Sequence, residues 1–75
     1  MGRSLVCDST DALTRREAEC LELLARGLTN AGIASHIHVA LPTVAMHLVN
    51  ARKKLGAHTR ERAVAQAVKR KLIEP

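Results

Sequence analysis

The stretch from Leu41 to Leu55 carries a stripe of apolar residues at helical spacing. The residues of the stripe recur at steps of three and four: Leu41, Val44, Leu48, Ala51 and Leu55. Because an α-helix turns once in about 3.6 residues, this spacing predicts a helix that buries one stripe of side chains. The rest of the chain has to supply the apolar elements that cover this stripe.

The core has to be built from aliphatic side chains, since the 75 residues include no Phe, Tyr or Trp. Leu, Val, Ile, Ala and Met suit closely packed helices, whereas an all-β domain without a single aromatic residue would be unusual. A chain of this length forms one domain, and so small a core gains from association with a partner. We therefore expect an all-α fold. It would be a compact four-helix domain over residues 13–75, after a tail or linker at residues 1–12 that sustains no periodicity.

The first helix is predicted over residues 15–26 by signals at both of its ends. Thr14 and Glu17 have the spacing of a capping box, in which each side chain accepts a hydrogen bond from the backbone N–H of the other residue. Gly27 is placed to end the helix. Cys20 falls on the apolar stripe, which indicates a small core residue and not a nucleophile.

Two more helices are predicted after threonine N-caps. Thr29 precedes a short helix over 30–37, and a tight turn over 38–40 leads into the helix of the apolar stripe. A short helix, a turn of three residues and a longer helix form the arrangement of a helix-turn-helix. Thr59 precedes a fourth helix, predicted over 60–72, whose small and branched residues offer two apolar faces. Either all of these residues serve the core, or one face packs on a partner.

The charge balance of the chain is basic and one-sided. Lys and Arg number 12 against 7 Asp and Glu, which gives a net charge of +5, and basic residues dominate from Arg52 onward. On a small helical domain this distribution points first to nucleic acid. Composition alone is equally consistent with a solvated charged surface.

Other classes of function find no support in the sequence. No nucleophile elbow, phosphate-binding glycine loop or zinc-protease motif is present, so we expect neither an enzyme nor a cofactor. Two cysteines, Cys7 and Cys20, and four scattered histidines make neither a disulfide framework nor a metal site. No apolar run approaches the roughly 18 residues of a membrane span, and no signal peptide is seen, so we expect a cytoplasmic protein without membrane contact.

The order of these motifs resembles the LuxR-type helix-turn-helix domain, also called the FixJ/NarL-type output domain. The matching landmarks cover most of the chain without a gap: Leu13-Thr14, Arg16-Glu17, Leu21, Leu24, Gly27, Asn30, Ile33-Ala34, Thr43-Val44, His47, Lys54-Leu55-Gly56, Arg60 and Ala63. The resemblance implies a bacterial transcriptional regulator that binds duplex DNA, dimerises through its fourth helix on two half-sites and acts with RNA polymerase. Many such domains are the output domain of a response regulator, and some stand alone.

We expect the helix over 41–55 to be the recognition helix and to lie in the major groove. The predicted base contacts are Ala45, Met46, Val49 and Asn50. The predicted phosphate contacts combine helix N-termini with basic side chains: Thr29, Asn30, Thr43, Arg52, Lys53, Lys54 and Arg60. The predicted dimer face consists of Val64, Val68 and Lys71.

The chain departs from the usual family pattern at two helix starts. Gly32 stands where a Glu is usual, so the second helix lacks a capping partner. Ala40 stands where a Ser or Thr usually caps the recognition helix, a change that costs about 1 kcal/mol. Pro42 compensates in part, because it fixes φ in the first helical turn.

A further departure concerns the surface that would face DNA. A Lys is common in the family at the position of Ala45, and a basic or polar residue at that of Val49. Here these positions and Met46 offer apolar atoms that can pack on thymine methyl groups, and Asn50 can pair with adenine. We therefore expect a site that contains A·T pairs, with weaker phosphate anchoring than in a typical member.

Two other hypotheses stay open. The promoter-binding region of a sigma factor shares the Leu-Thr-x-Arg-Glu start and the Thr-Val pair, but it normally ends soon after its recognition helix, whereas here the segment Arg60–Ile73 follows. A protein-interaction module with weakened DNA binding would instead use the apolar face of the recognition helix for a protein. Salt-dependent binding to DNA separates this module from both DNA-binding hypotheses.

Overall fold

Residues 13–74, which the computed structural model describes, fold into four α-helices. The helices are α1 (Arg15–Ala25), α2 (Asn30–Ile37), α3 (Leu41–Lys54) and α4 (Arg60–Lys69). Residues 13–74 contain no strand, and the all-α prediction is confirmed. The predicted tail at residues 1–12, with Cys7, lies outside the described residues.

Threonine side chains begin three of the helices, as predicted. Thr14 Oγ1 accepts a hydrogen bond from the Glu17 N–H at 3.1 Å, and Glu17 Oε1 accepts one from the Thr14 N–H at 2.9 Å. These two bonds complete the capping box. Thr29 and Thr59 each accept a bond from the backbone N–H three residues further on, at 3.1 Å. The remaining helix, α3, begins after Ala40, which makes no side-chain capping bond.

All four helices end in the same kind of turn. One residue adopts a left-handed backbone conformation, and the next N–H donates to the carbonyl five residues earlier, as in a Schellman motif. The left-handed residues are Gly27 (φ 98°), His38 (φ 60°), Gly56 (φ 66°) and Lys71 (φ 61°). The hydrogen bonds run from Leu28 to Leu23, from Val39 to Ala34, from Ala57 to Arg52 and from Leu72 to Ala67. Each turn therefore satisfies carbonyl groups that the helix end leaves without a partner.

The fourth helix is shorter than predicted, since it ends at Lys69 and does not reach residue 72. The turn at Lys71 brings the chain back to α1, where the Glu74 N–H donates to the Glu22 carboxylate at 3.1 Å. Ile73 is buried in the core. The apolar pattern of the sequence continues to Ile73, but a turn and not a helix places that residue in the core.

The core lies where α3 contacts the other three helices. Its buried apolar residues are Cys20, Leu21, Leu23, Ile33, Val44, Leu48, Ala51, Leu55, Ala57, Ala63, Ala67 and Ile73. The predicted stripe of α3 is buried except at its start, where Leu41 remains 48% exposed. Cys20 is a core residue, as predicted, and burial raises the pKa of its thiol.

The helices α2 and α3 form the helix-turn-helix. The direction of the chain changes by 109° between them, which falls within the range of about 90–120° for this motif. No single helix in residues 13–74 is long and apolar enough to cross a membrane; α2 and α3 meet the length and composition only when taken together as a bent pair.

Candidate nucleic-acid interface

The side of α3 opposite the core forms a surface that we call the outward face: Ala45, Met46, Val49, Asn50 and Lys53. Met46 is 57% exposed and Val49 is 39% exposed, while Ala45 and Asn50 are half-buried at the edges of the face. The four predicted base-contact residues therefore lie together on one side of one helix. The major groove of B-DNA is wide enough to admit such a helix.

The three cations at the end of α3 have different surroundings. Lys53 is exposed at the end of the outward face. The Arg52 guanidinium donates to the Ala57 carbonyl at 3.0 Å, which holds it beside the turn after α3. Lys54 Nζ lies 2.8 Å from Glu17 Oε1 and therefore faces α1. Three basic residues that are adjacent in sequence thus occupy separate positions around the helix.

The Glu17–Lys54 ion pair joins the start of α1 to the end of α3. Glu17 is only 4% exposed, and burial by itself raises the pKa of its carboxyl. Hydrogen bonds from Lys54 and from Thr14 outweigh burial, so the pKa lies below the ordinary value of 4.5. The carboxyl is therefore ionised at neutral pH, and its pairing with Lys54 fixes α3 relative to α1.

A cleft of about 340 Å³ lies beside the outward face, between α3 and the start of α4. It is lined by Leu48, Val49, Arg52, His58, Thr59, Arg60 and Glu61. Backbone N–H groups in the first turn of a helix lack partners within the helix and carry partial positive charge. Together with Arg52 and Arg60 they suit the cleft to a phosphate group, although the Glu61 carboxylate also lines its wall.

The other predicted phosphate contacts lie at the starts of α2 and α3. Thr29 is exposed and caps α2, and Thr43 is exposed in the first turn of α3. Asn30 is half-buried, and its Oδ1 atom is buried without a hydrogen-bond partner among the described residues. Thr29 and Thr43 are thus accessible to a ligand, whereas the Asn30 oxygen is not.

Two of the three residues predicted for the dimer face lie on α4. Val68 is 37% exposed, and Val64 is half-buried against the core. Lys71 lies beyond the helix, in the left-handed turn, because α4 ends at Lys69. Leu72, which follows it, is 39% exposed. The exposed apolar surface of this region therefore extends from α4 into the turn after it.

Sequence reasoning missed two contributions to these surfaces. A second cleft of about 220 Å³, between α1 and α4, is lined by Leu24, Ala25, Glu61 and Val64. The partner of Lys54 is Glu17, which is 37 residues away in the chain. No local sequence pattern signals the cleft or the ion pair, and the capping box by itself already accounts for Glu17.

A helix-turn-helix that presents one face of its longer helix is typical of the DNA-binding domains of transcription regulators. The family model described as bacterial regulatory proteins of the luxR family (GerE) matches residues 11–67, and the chain belongs to this family. The chain is therefore a LuxR-type helix-turn-helix domain, of the kind that forms the output domain of response regulators. The match favours this family over the sigma-factor region considered above.

Named relatives and solved structures are consistent with this assignment. Response regulator protein VraR of Staphylococcus aureus (strain NCTC 8325 / PS 47) and that of Staphylococcus saprophyticus are each 41% identical over 64 residues, which cover 85% of this chain and 31% of the relative. The structure of the transcription factor GerE superposes with a TM-score of 0.79 at 29% identity and covers 83% of this chain and 92% of that chain. Response regulator ChrA of a heme-sensing two-component system gives a TM-score of 0.78 at 39% identity, over 83% of this chain and 31% of that chain. The chain thus spans 31% of the length of the response regulators that it matches.

Proposed function

We propose that the chain regulates transcription by binding duplex DNA with α3 in the major groove. The observation that carries this proposal is the outward face of α3, which the helix-turn-helix projects away from the core. Lys53 borders the face at one end, and the cleft with Arg52 and Arg60 adjoins it along one side. Because phosphates line both edges of the major groove, cations beside a projecting helix favour insertion of that helix into the groove.

Base recognition is assigned to the four residues of the outward face that precede Lys53. Ala45, Met46 and Val49 present apolar atoms, which pack on the C5-methyl group of thymine. Asn50 can donate one hydrogen bond to adenine and accept another. The bound site is therefore expected to contain A·T pairs at the positions that face these side chains.

Phosphate contact is assigned first to the exposed groups of the predicted set: Thr29, Thr43, Lys53 and Arg60. Arg52 can reach a phosphate in the cleft and keep its bond to Ala57, since a guanidinium has five N–H donors. Asn30 contributes at the N-terminus of α2 through groups other than its buried Oδ1. Lys54 adds charge near the groove, but its ion pair with Glu17 makes positioning of α3 its main role.

The second part of the proposal is a dimer that binds two half-sites. Val64 and Val68 of α4 supply apolar surface, the cleft between α1 and α4 adds to it, and Lys71 lies in the turn after α4. A two-fold dimer with half-sites one helical turn apart would place two α3 helices in successive major grooves, about 34–36 Å apart. We expect the DNA-bound dimer to be the form that acts on RNA polymerase.

The first experiment measures binding of the chain to a pool of random duplexes by fluorescence anisotropy at two salt concentrations. In parallel, the duplexes that the chain binds are selected from the pool and sequenced. Enrichment of a two-fold motif, with affinity that falls as salt rises, is the expected result. No binding at low salt would overturn the proposal for this chain and favour a protein-interaction module that uses the outward face.

A charge-matched pair of variants tests which surface meets the phosphates. Lys53→Gln should reduce the slope of log Kd against log salt by about 0.9, the value for one phosphate contact. Lys69→Gln removes the same charge from the exposed last turn of α4, and we expect a smaller change in slope. Equal effects of the two substitutions would indicate a response to net charge alone.

A further inference from the structure

Three of the five large apolar side chains exposed on residues 13–74 belong to α3: Leu41, Met46 and Val49. Met46 and Val49 lie one turn apart at the centre of the outward face, and Ala45 extends this apolar surface at its edge. His47 is the only polar residue between Ala45 and Val49, and it is half-buried outside the outward face. This part of the face can therefore make few hydrogen bonds to a base edge.

We infer that Met46 and Val49 select DNA through the C5-methyl groups of pyrimidines and not through hydrogen bonds, an inference that rests on the proposed function. In the major groove thymine presents a C5-methyl group and the O4 acceptor, and an apolar side chain can use only the methyl group. The base 5-methylcytosine carries a methyl group on the same ring atom, with different hydrogen-bonding groups beside it. Met46 and Val49 should therefore favour both methylated bases over uracil and cytosine.

The charges around this apolar surface favour DNA over a protein as its partner. Lys53 follows Val49 by one turn on the outward face, and Arg52 and Arg60 line the adjoining cleft. The chain as a whole carries a net charge of +5. Cations at one end and along one side of the face add little to contact with an apolar protein surface, whereas they strengthen contact with a groove that phosphates border.

The test uses the full chain and duplexes selected from the random pool. Each selected duplex is made a second time with deoxyuridine in place of thymidine, which removes the methyl groups and leaves the base pairing unchanged. Kd is measured for both duplexes by fluorescence anisotropy at one salt concentration. We expect the thymine duplex to bind about fourfold more tightly for each contacted methyl group, the factor that corresponds to burial of one methylene.

A second pair of duplexes adds a methyl group instead of removing one. The contacted T·A pair is replaced by C·G in one duplex and by 5-methylcytosine·G in the other. The methylated duplex should bind more tightly than its unmethylated partner, because the two differ only in the C5-methyl group.

Alanine variants identify the side chains that sense the methyl group. Met46→Ala and Val49→Ala should each bring the ratio of the two Kd values, uracil over thymine, closer to one. Leu72→Ala is the control, since Leu72 is as exposed as Val49, at 39%, but lies in the turn after α4. This control should leave the ratio unchanged, even if it alters affinity for both duplexes.

The outcomes separate the inference from the proposed function. Equal Kd values for thymine and uracil duplexes would overturn the inference, while enrichment of a motif would leave the proposed function intact. A ratio that persists in both alanine variants would also overturn the inference, because DNA shape would then account for the methyl effect. Failure to bind any duplex at low salt would overturn the proposed function, and the inference with it.

Discussion

Glu17 combines two roles at the scale of the single residue. Its carboxylate accepts hydrogen bonds from the Thr14 N–H at 2.9 Å and from Lys54 Nζ at 2.8 Å. The first bond is local and starts α1, whereas the second joins α1 to the end of α3. Because Glu17 is nearly fully buried, its carboxyl group needs a charged partner to stay ionised.

We expect Glu17→Gln to lower the free energy of unfolding by about 1–3 kcal/mol at about pH 7. This loss is smaller than the loss on breaking a fully buried ion pair, because the Lys54 side chain is 24% exposed. Gln also completes a capping box, so the substitution isolates the ion pair. The measurement is urea unfolding followed by far-ultraviolet circular dichroism. Glu19→Gln is the matched control, since the 3.1 Å pair of Glu19 with Arg16 is exposed and its loss should cost less than about 1 kcal/mol.

The same ion pair predicts how stability depends on pH. The pKa of Glu17 in the folded chain lies below its ordinary value of 4.5. Its stabilising contribution is therefore fully present above that value and is lost as the pH falls through the lowered pKa. The difference in unfolding free energy between the chain and Glu17→Gln should shrink below about pH 4. A difference that stays constant from neutral to acidic pH would contradict the ion pair as its source.

Gly32 is the third residue of α2, where the chain lacks the usual acidic partner of its N-cap. A Cβ atom added to Gly32 would lie 3.4 Å from Thr29 Oγ1 and 3.6 Å from Leu28 Cβ, which are ordinary contacts. We expect Gly32→Ala to raise the unfolding free energy by about 0.5–1 kcal/mol, because Gly is a poor helix former. Gly32→Glu should add about 0.5 kcal/mol more, since it completes a capping box with Thr29. A loss of stability in Gly32→Ala would show that the added carbon displaces the Thr29 cap.

At the level of the secondary-structure elements, each of the four helices ends in a turn that requires one residue in the left-handed backbone conformation. Gly27 and Gly56 occupy the left-handed position after α1 and α3, but His38 and Lys71 occupy it after α2 and α4. A residue with a Cβ atom is strained in this conformation, whereas Gly is not. The turn of the helix-turn-helix at His38 is therefore strained, and other contacts of the fold have to offset the free energy that this strain costs.

We expect His38→Gly and Lys71→Gly each to raise the unfolding free energy by about 0.5–1 kcal/mol, since Gly relieves the left-handed strain. Gly27→Ala and Gly56→Ala are the reverse controls, and each should lower it by about 1–2 kcal/mol. Thermal unfolding followed by circular dichroism is the measurement. Destabilisation by His38→Gly would mean that the imidazole makes contacts that outweigh the strain. Stability is the appropriate property to measure, because Lys71→Gly also removes a residue of the proposed dimer face.

The whole molecule presents two surfaces that the fold connects. The helix α4 contacts both α1 and α3, and its small core residues Ala63 and Ala67 are fully buried, which permits close packing. The outward face of α3 and the exposed side of α4 are thus parts of one small body. A dimer formed through α4 would therefore fix the distance between its two α3 helices, and this distance sets the spacing of the half-sites that the dimer can bind.

We expect Val68→Gln to weaken binding to a duplex with two half-sites while it leaves binding to a single half-site unchanged. A polar side chain at this 37% exposed position disfavours an apolar contact between copies but adds no charge that would alter attraction to DNA. Fluorescence anisotropy on the two duplexes is the measurement. Val68→Ile keeps the position apolar and should preserve the preference for two half-sites. An equal loss on both duplexes would place Val68 outside the dimer face.

The sequence determined the local features of this domain. Threonine caps and apolar steps of three and four residues act over a single turn. They correctly located the starts of α1, α2 and α4 and, apart from Leu41, the buried stripe of α3. The order of these motifs indicated the LuxR family, and the family match confirmed it. Such signals are legible because capping bonds and helical periodicity depend on neighbours in the chain.

The tertiary structure decided how each surface side chain is used. Arg52, Lys53 and Lys54 are alike in sequence, and only the fold sets Lys54 against Glu17, holds Arg52 at a turn carbonyl and leaves Lys53 exposed. The fold likewise ends α4 at Lys69, so that Ile73 enters the core by a turn. Contacts between residues 37 or 52 positions apart leave no local pattern. The packing of the other three helices around α3 therefore had to be known before these three cations could be told apart.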